Sequence, residues 1–193
     1  MKLQMKISKI LCLVVLITCA INFIFSLGLT TDIYHLYLAK SFDALSGVKL
    51  SGTGLFKEIQ PFNTSFVDAC IAMIIVAVFL FVTKTNSRRK YYISNYISTA
   101  ASVLCNIGVS VWAIINIASY RSRYLNETDF ELYLRYANEY GAKYTESTFW
   151  FDINIILLIL NIVVTLGLVA NLILKISLMK AEDRLLNGGT VNE

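Results

Sequence analysis

Four apolar runs constrain this chain more than any other feature. They cover residues 7–27, 66–82, 91–118 and 149–176. A helix needs roughly 17–25 largely apolar residues to cross the hydrocarbon core of a bilayer, and each run meets that length. The whole chain is 56% hydrophobic and only 16% charged, against about 25% charged in ordinary soluble domains. Several spans buried in lipid account for this imbalance; one apolar helix in water does not. The single proline and nine glycines argue against a linker-rich or disordered chain.

The third run is the most informative. Asn95, Ser98, Thr99, Ser102, Asn106 and Ser110 recur at helical spacing along one side. Tyr96, Val103, Leu104, Ile107, Val111 and Ile115 line the other. Small and polar groups on a spanning helix bring neighbouring backbones close and hydrogen-bond across helices. The stripe contains no ionisable group, so it reads as the packing spine of a bundle. The first span offers it partners in Cys12, Cys19, Asn22 and Ser26, and the fourth in Asn154, Asn161 and Thr165. The helix-packing set is Asn22, Asn95, Ser98, Ser102, Asn106, Ser110 and Asn161. The third run spans 28 residues, about 42 Å as a helix, so it tilts or projects beyond the ~30 Å core.

Four spans put both termini on one side. Ten of the seventeen Lys and Arg fall in the N-terminal segment, in the 83–90 turn, and in the tail with Lys175 at the end of the fourth span, where only Glu182, Asp183 and Glu193 are acids. The positive-inside rule then makes both termini, the turn 83–90 and the tail 177–193 cytoplasmic, and connections 28–64 and 119–148 extracellular. Cys19 follows Thr18 in a weak cleavage-like site, but the apolar run continues past it, so the first span is read as uncleaved.

The two long connections carry structure of their own. Thr31-Asp32 is placed to cap a short amphipathic helix from Ile33 to about Leu45. Val48-Lys49-Leu50 and Leu55–Ile59, either side of Ser51-Gly52-Thr53-Gly54, read as a β-hairpin around a glycine turn. Pro61 precedes the second span, and Ser65 with Asp68 stands in the relation of a capping box. In the second connection, Thr128-Asp129-Phe130-Glu131 opens another capping box. Phe130, Tyr133, Leu134 and Ala137 then share one side of a short amphipathic helix, about Asp129–Tyr140, which Gly141 closes. The fold class expected is therefore an all-α membrane protein. It is a four-transmembrane-helix bundle forming one integral membrane domain over 1–193, with a small extracellular cap.

No residue set supports chemistry. His35 is the only histidine, which excludes a zinc site and leaves Ser, Thr or Cys nucleophiles without a choice of base. Cys12, Cys19, Cys70 and Cys105 all lie in apolar runs, with no CxxC, and read as small packing residues. No catalytic group, cofactor or metal is expected. The net charge of +4 is spread along the chain, so nucleic acid is not an expected partner. Asp68 and Asp152 are the only carboxylates within or at the edge of the spans. Membrane-embedded acids are candidates for an ion or proton site, but an acid in a first helical turn also complements the helix dipole. The capping reading is preferred. Asn63 and Asn126 head N-x-S/T sequons, of which about two arise by chance in this composition; Asn126 is the candidate glycosylation site if the host is a eukaryote.

Six of the eleven tyrosines lie between Tyr120 and Tyr144. Tyrosine suits interfaces through its contact area and polar tip, so Tyr133, Tyr136 and Tyr140 are the expected partner surface. The layout alone is similar to claudin-like tetraspan proteins: cytosolic ends, a larger first loop with room for strands, a short inner turn, a long third span and a smaller second loop. The W…LW…C…C signature of the claudin first loop is missing, since residues 28–64 contain neither Trp nor Cys. That resemblance implies a contact or organising role and transfers no residue. The expected function is a non-enzymatic, multi-pass protein of the plasma membrane, an accessory, scaffold or organising subunit. Its partners are the lipid bilayer and other membrane proteins or a second copy. The alternative is a small transporter or channel component, its path lined by the span asparagines with Asp68 and Asp152.

Overall fold

The computed structural model describes residues 2–39, 50–86, 93–140 and 144–188. It is all-helical over them. In chain order the helices are α1 (Lys2–Ser26), α2 (Leu55–Asn86), α3 (Ile93–Glu127), α4 (Phe130–Tyr140) and α5 (Phe149–Gly188). A further helical stretch covers 34–39. Helices α1, α2, α3 and α5 are each long and apolar enough to cross a membrane. At 1.5 Å per residue α3 is about 52 Å long and α5 about 60 Å, so both project well past a ~30 Å core.

The four long helices form a ring. Helix α1 packs on α2 and α5, and α3 packs on the same two; no backbone contact joins α1 to α3 or α2 to α5 among the described residues. The two long connections meet at one end of the ring, and the start of α1 lies beside the far part of α5 at the other.

Burial is inverted relative to a soluble bundle. Leu104 is 75% exposed, Phe79 71% and Ile115 64%, while Asn106, Ser110, Asn154 and Asn161 are fully buried. Large apolar side chains cover the outside of the ring, while hydrogen-bonding groups of α1, α3 and α5 face inward, opposite an apolar face of α2. Water would not support that surface, since a contiguous apolar exterior of this extent demands covering; a lipid environment supplies it. The third span has the lowest mean hydropathy of the four, 1.8 against 2.4–2.7; α1, α3 and α5 share the polar interior, with Thr99, Ser102, Asn106 and Ser110 as the contribution of α3.

Three boundary expectations need correction. The helix that carries the second span starts at Leu55, ahead of Phe66. Leu55, Ile59, Phe62, Phe66, Cys70, Met73, Ala77 and Leu80 are all buried, at steps of three and four along one helical face. Residues 55–59 are therefore the first turns of α2 rather than an arm of a β-hairpin. The turn at Gly52 (φ +74°) leads into that helix instead, with the N–H of Leu55 on the Gly52 carbonyl and those of Lys57 and Glu58 on the Gly54 carbonyl. Val48 and Lys49 lie outside the described residues. Pro61 consequently sits inside α2, beside exposed Lys57, whose carbonyl loses its helical donor. The Ser65 hydroxyl donates to the Pro61 carbonyl at 3.0 Å, so Ser65 and Asp68 do not open a helix. Finally, α3 continues nine residues beyond Ala118, which brings Tyr120, Arg121, Arg123 and Tyr124 onto a spanning helix.

The short helix of the second connection does form, as α4. Its cap is Asp129, whose carboxylate accepts from the Leu132 N–H at 3.0 Å, rather than Thr128. Gly141, Tyr91, Tyr92 and residues 87–90 of the short turn lie outside the described residues, as do the side chains of Asn95 and Tyr140.

Candidate functional site: a polar spine beneath an aromatic layer

The inward-facing polar residues meet at mid-bundle. Asn161 on α5 is the hub. Its Nδ2 donates to Asn106 Oδ1 at 3.2 Å and to Ser110 Oγ at 3.1 Å, both on α3. Its Oδ1 lies 3.1 Å from the Thr18 hydroxyl and 3.9 Å from the Cys19 thiol, both on α1. The Cys19 thiol also donates across the ring to Asn106 Oδ1 at 3.0 Å. One cluster thus ties α1, α3 and α5 together, including a diagonal pair whose backbones do not touch. Helix α2 faces it with Cys70, Met73 and Ala77, all fully buried.

A local rule governs the other asparagines. Asn22, Asn106, Asn116 and Asn154 each donate from Nδ2 to the carbonyl four residues back, at 2.7–2.8 Å. The Asn154 Nδ2 also donates to the Phe25 carbonyl on α1 at 3.1 Å. A helix holds the side chain against its preceding turn, so one amide N–H is committed locally and the amide oxygen is left for other partners. For Asn106 that oxygen is used by Cys19 and Asn161. For Asn22 and Asn154 it has no partner among the described residues, nor does the Thr165 hydroxyl. Among the remaining expected packing residues, Ser102 is fully buried and Thr99 nearly so, while Ser98 is half-buried.

Asp68 and Asp152 are not brought together. They sit on α2 and α5, which make no backbone contact. Asp68 is exposed, on the outside of the ring. Asp152 accepts from Arg121 at 2.7 and 3.4 Å and from the Thr148 hydroxyl at 2.6 Å. A basic partner was not expected there, because the sequence places Arg121 in a loop; it becomes available only through the extension of α3. Neither aspartate touches the polar spine.

The two connections pack on one another above the ring. The Asp32 carboxylate accepts from the Trp150 N–H at 2.7 Å, so it caps α5 rather than the helical stretch 34–39 beside it. Gly28 lies under the Trp150 indole, where a Cβ would come within 2.1 Å of the ring. The Tyr133 hydroxyl donates to the Ser51 carbonyl at 2.9 Å, and the Ser51 hydroxyl accepts from the Asp129 N–H at 2.8 Å. Tyr124 donates to the Thr145 carbonyl at 2.9 Å.

These contacts correct the expected partner surface. Tyr133 is 4% exposed and Tyr136 8%, so both serve the interior of this layer. The outward-facing aromatic patch is elsewhere. Tyr34 and Tyr37 are each 50% exposed, and their rings meet each other and Phe56 at 5.1–6.0 Å. The sequence signal was tyrosine density, which marks aromatic packing without saying which side it faces. Asn126 is exposed at the end of α3, while Thr128 of the same sequon is buried.

No family model, characterised protein or solved structure matches this chain. The four apolar helices fit an integral membrane protein; the claudin-like layout has no support beyond topology, and no strand occurs among the described residues of the first connection.

Proposed function

We propose that this chain is a non-enzymatic accessory or organising subunit of the plasma membrane. Its termini face the cytoplasm and its two packed connections face outward. The orientation rests on the positive-inside distribution of Lys and Arg. The observation that carries the function is the closure of the central cluster. Asn161, Asn106, Ser110, Thr18 and Cys19 hydrogen-bond to each other, which serves helix packing and leaves no charged group at the midplane. The exposed Tyr34–Tyr37–Phe56 patch supplies an outer contact surface of the kind favoured at interfaces. Partners in this reading are other membrane proteins or a second copy.

The test is purification in native lipid nanodiscs with chemical crosslinking from intact cells. A stoichiometric membrane partner or a defined homo-oligomer is expected, lost in Tyr34→Ser/Tyr37→Ser with folding unchanged. A strictly monomeric protein with no crosslinked partner would overturn the proposal.

A polar path for a small solute is the second reading. The partnerless oxygens of Asn22, Asn154 and Thr165 favour it, since buried acceptors call for a donor such as water. Flux through reconstituted protein, reduced by Asn22→Leu or Thr165→Val, would select this reading over the first.

A further inference from the structure

The loop layer forms a half-open cavity of about 640 Å³, lined by Thr30, Thr31, Tyr34, His35, Leu38 and Tyr144 with Thr145. That volume lies in the range of small-molecule sites, roughly 300–1,000 Å³. His35 is its chemical centre. The imidazole is 7% exposed. Its Nδ1 lies 3.0 Å from the Asp32 carbonyl oxygen, and a carbonyl only accepts, so Nδ1 carries the proton. In the neutral ring Nε2 is then a bare acceptor, and it is buried with no partner among the described residues.

The surrounding rings do not fill that need. Tyr124, Tyr133 and Tyr144 stand edge-on to the imidazole at centroid distances of 6.1, 5.6 and 5.8 Å. Each tyrosine hydroxyl is committed elsewhere, to the Thr145 carbonyl, the Ser51 carbonyl and the Glu146 carboxylate respectively. Among the described residues the cavity lining carries no Lys, Arg, Asp or Glu. A charged ligand would therefore find no counter-charge among those residues to offset the water it gives up. The cavity instead suits a neutral molecule with an apolar planar body between Tyr34 and Tyr144 and one hydrogen-bond donor.

We propose that this cavity is a binding site for a neutral aromatic molecule bearing a single N–H or O–H group, which donates to His35 Nε2. The site is independent of whether the bundle acts as an organiser or as a path.

Indole and 1-methylindole are matched probes, alike in shape but differing in the donor. Calorimetric titration of the full chain in phosphatidylcholine nanodiscs, referenced to empty nanodiscs, measures both. Indole is expected to bind saturably, and 1-methylindole at least about tenfold more weakly, since it leaves the buried acceptor unmet. His35→Phe, which keeps a ring and removes the acceptor, should bring indole down to the 1-methylindole level. Equal affinities for the two probes on the native chain, or heats no larger than those of empty nanodiscs, would overturn the proposal. If His35→Phe fails to fold, the probe comparison on the native chain decides alone.

Discussion

The Asp32 carboxylate accepts a hydrogen bond from the Trp150 backbone N–H at 2.7 Å, across 118 residues of chain. The first connection thereby caps the last long helix. A helix N-terminus leaves several N–H groups unsatisfied, and here the oxygen that meets one of them comes from a distant segment. Asp32→Ala should lower unfolding stability by about 1–2 kcal/mol, with Asp32→Ser recovering part of the loss. Thermal unfolding of nanodisc-embedded protein followed by circular dichroism measures both.

Gly28 packs against the indole of the same Trp150. A methyl group there would meet Trp150 ring carbons at 2.1–2.7 Å, so the indole or the chain must move. Gly28→Ala should cost about 1–3 kcal/mol, the usual range for overpacking. Gly28→Ala in a Trp150→Leu background should cost much less. Equal losses in the two backgrounds would show that the indole is not what requires glycine.

The loop layer should respond to pH in two opposite ways. Burial holds the His35 imidazole below its ordinary value of 6.5. The unfolded chain then binds that proton more readily, so stability is complete above pH 6.5 and falls as pH drops through the lowered value. Burial holds the Asp32 carboxyl above its ordinary value of 3.8, against the N–H groups of Trp150 and Phe151 and the Ser147 hydroxyl. Here the folded chain binds the proton more readily, so stability rises as pH falls from the raised value towards 3.8. Melting temperatures taken from about pH 8 down to about pH 4 should show the His35 loss, and His35→Phe should remove it. Asp32→Asn should remove the opposing slope only.

Asn161 links α1 and α3 through its two amide ends. Asn161→Leu leaves Thr18, Ser110 and Asn106 with fewer partners in the bundle interior, at a cost of roughly 1–3 kcal/mol. Asn106→Leu should cost about the same. Because the two share one hydrogen bond and one thiol, the double variant should lose less than the sum. Strict additivity would mean that the cluster does not act as a unit. Steric-trap unfolding in bicelles gives the needed free energies.

Asp152 and Arg121 form a part-exposed pair at 2.7 Å. Pairs of that kind contribute about 0–1 kcal/mol. Asp152→Asn and Asp68→Asn should each leave folding within that range. Any flux measured in reconstituted protein should persist in both, since neither residue touches the polar spine.

What the chain alone determined is what depends on local periodicity. Four spans follow from run length, because a bilayer demands about 20 apolar residues whatever their neighbours. The polar face of the third span is written at helical spacing from Thr99 to Ser110. Only the tertiary structure decided which groups meet. Arg121 reaches Asp152 because α3 outruns the apolar run that predicts it. Asp32 caps α5, rather than the stretch beside it, because the two connections fold onto each other. Tyr133 turns inward while Tyr34 and Tyr37 turn outward, although nothing in tyrosine itself distinguishes them. The same holds for His35: its isolation in sequence hid a buried acceptor walled by three tyrosines from distant positions. Periodicity reports which face of one helix is polar; it carries no information on what stands opposite that face.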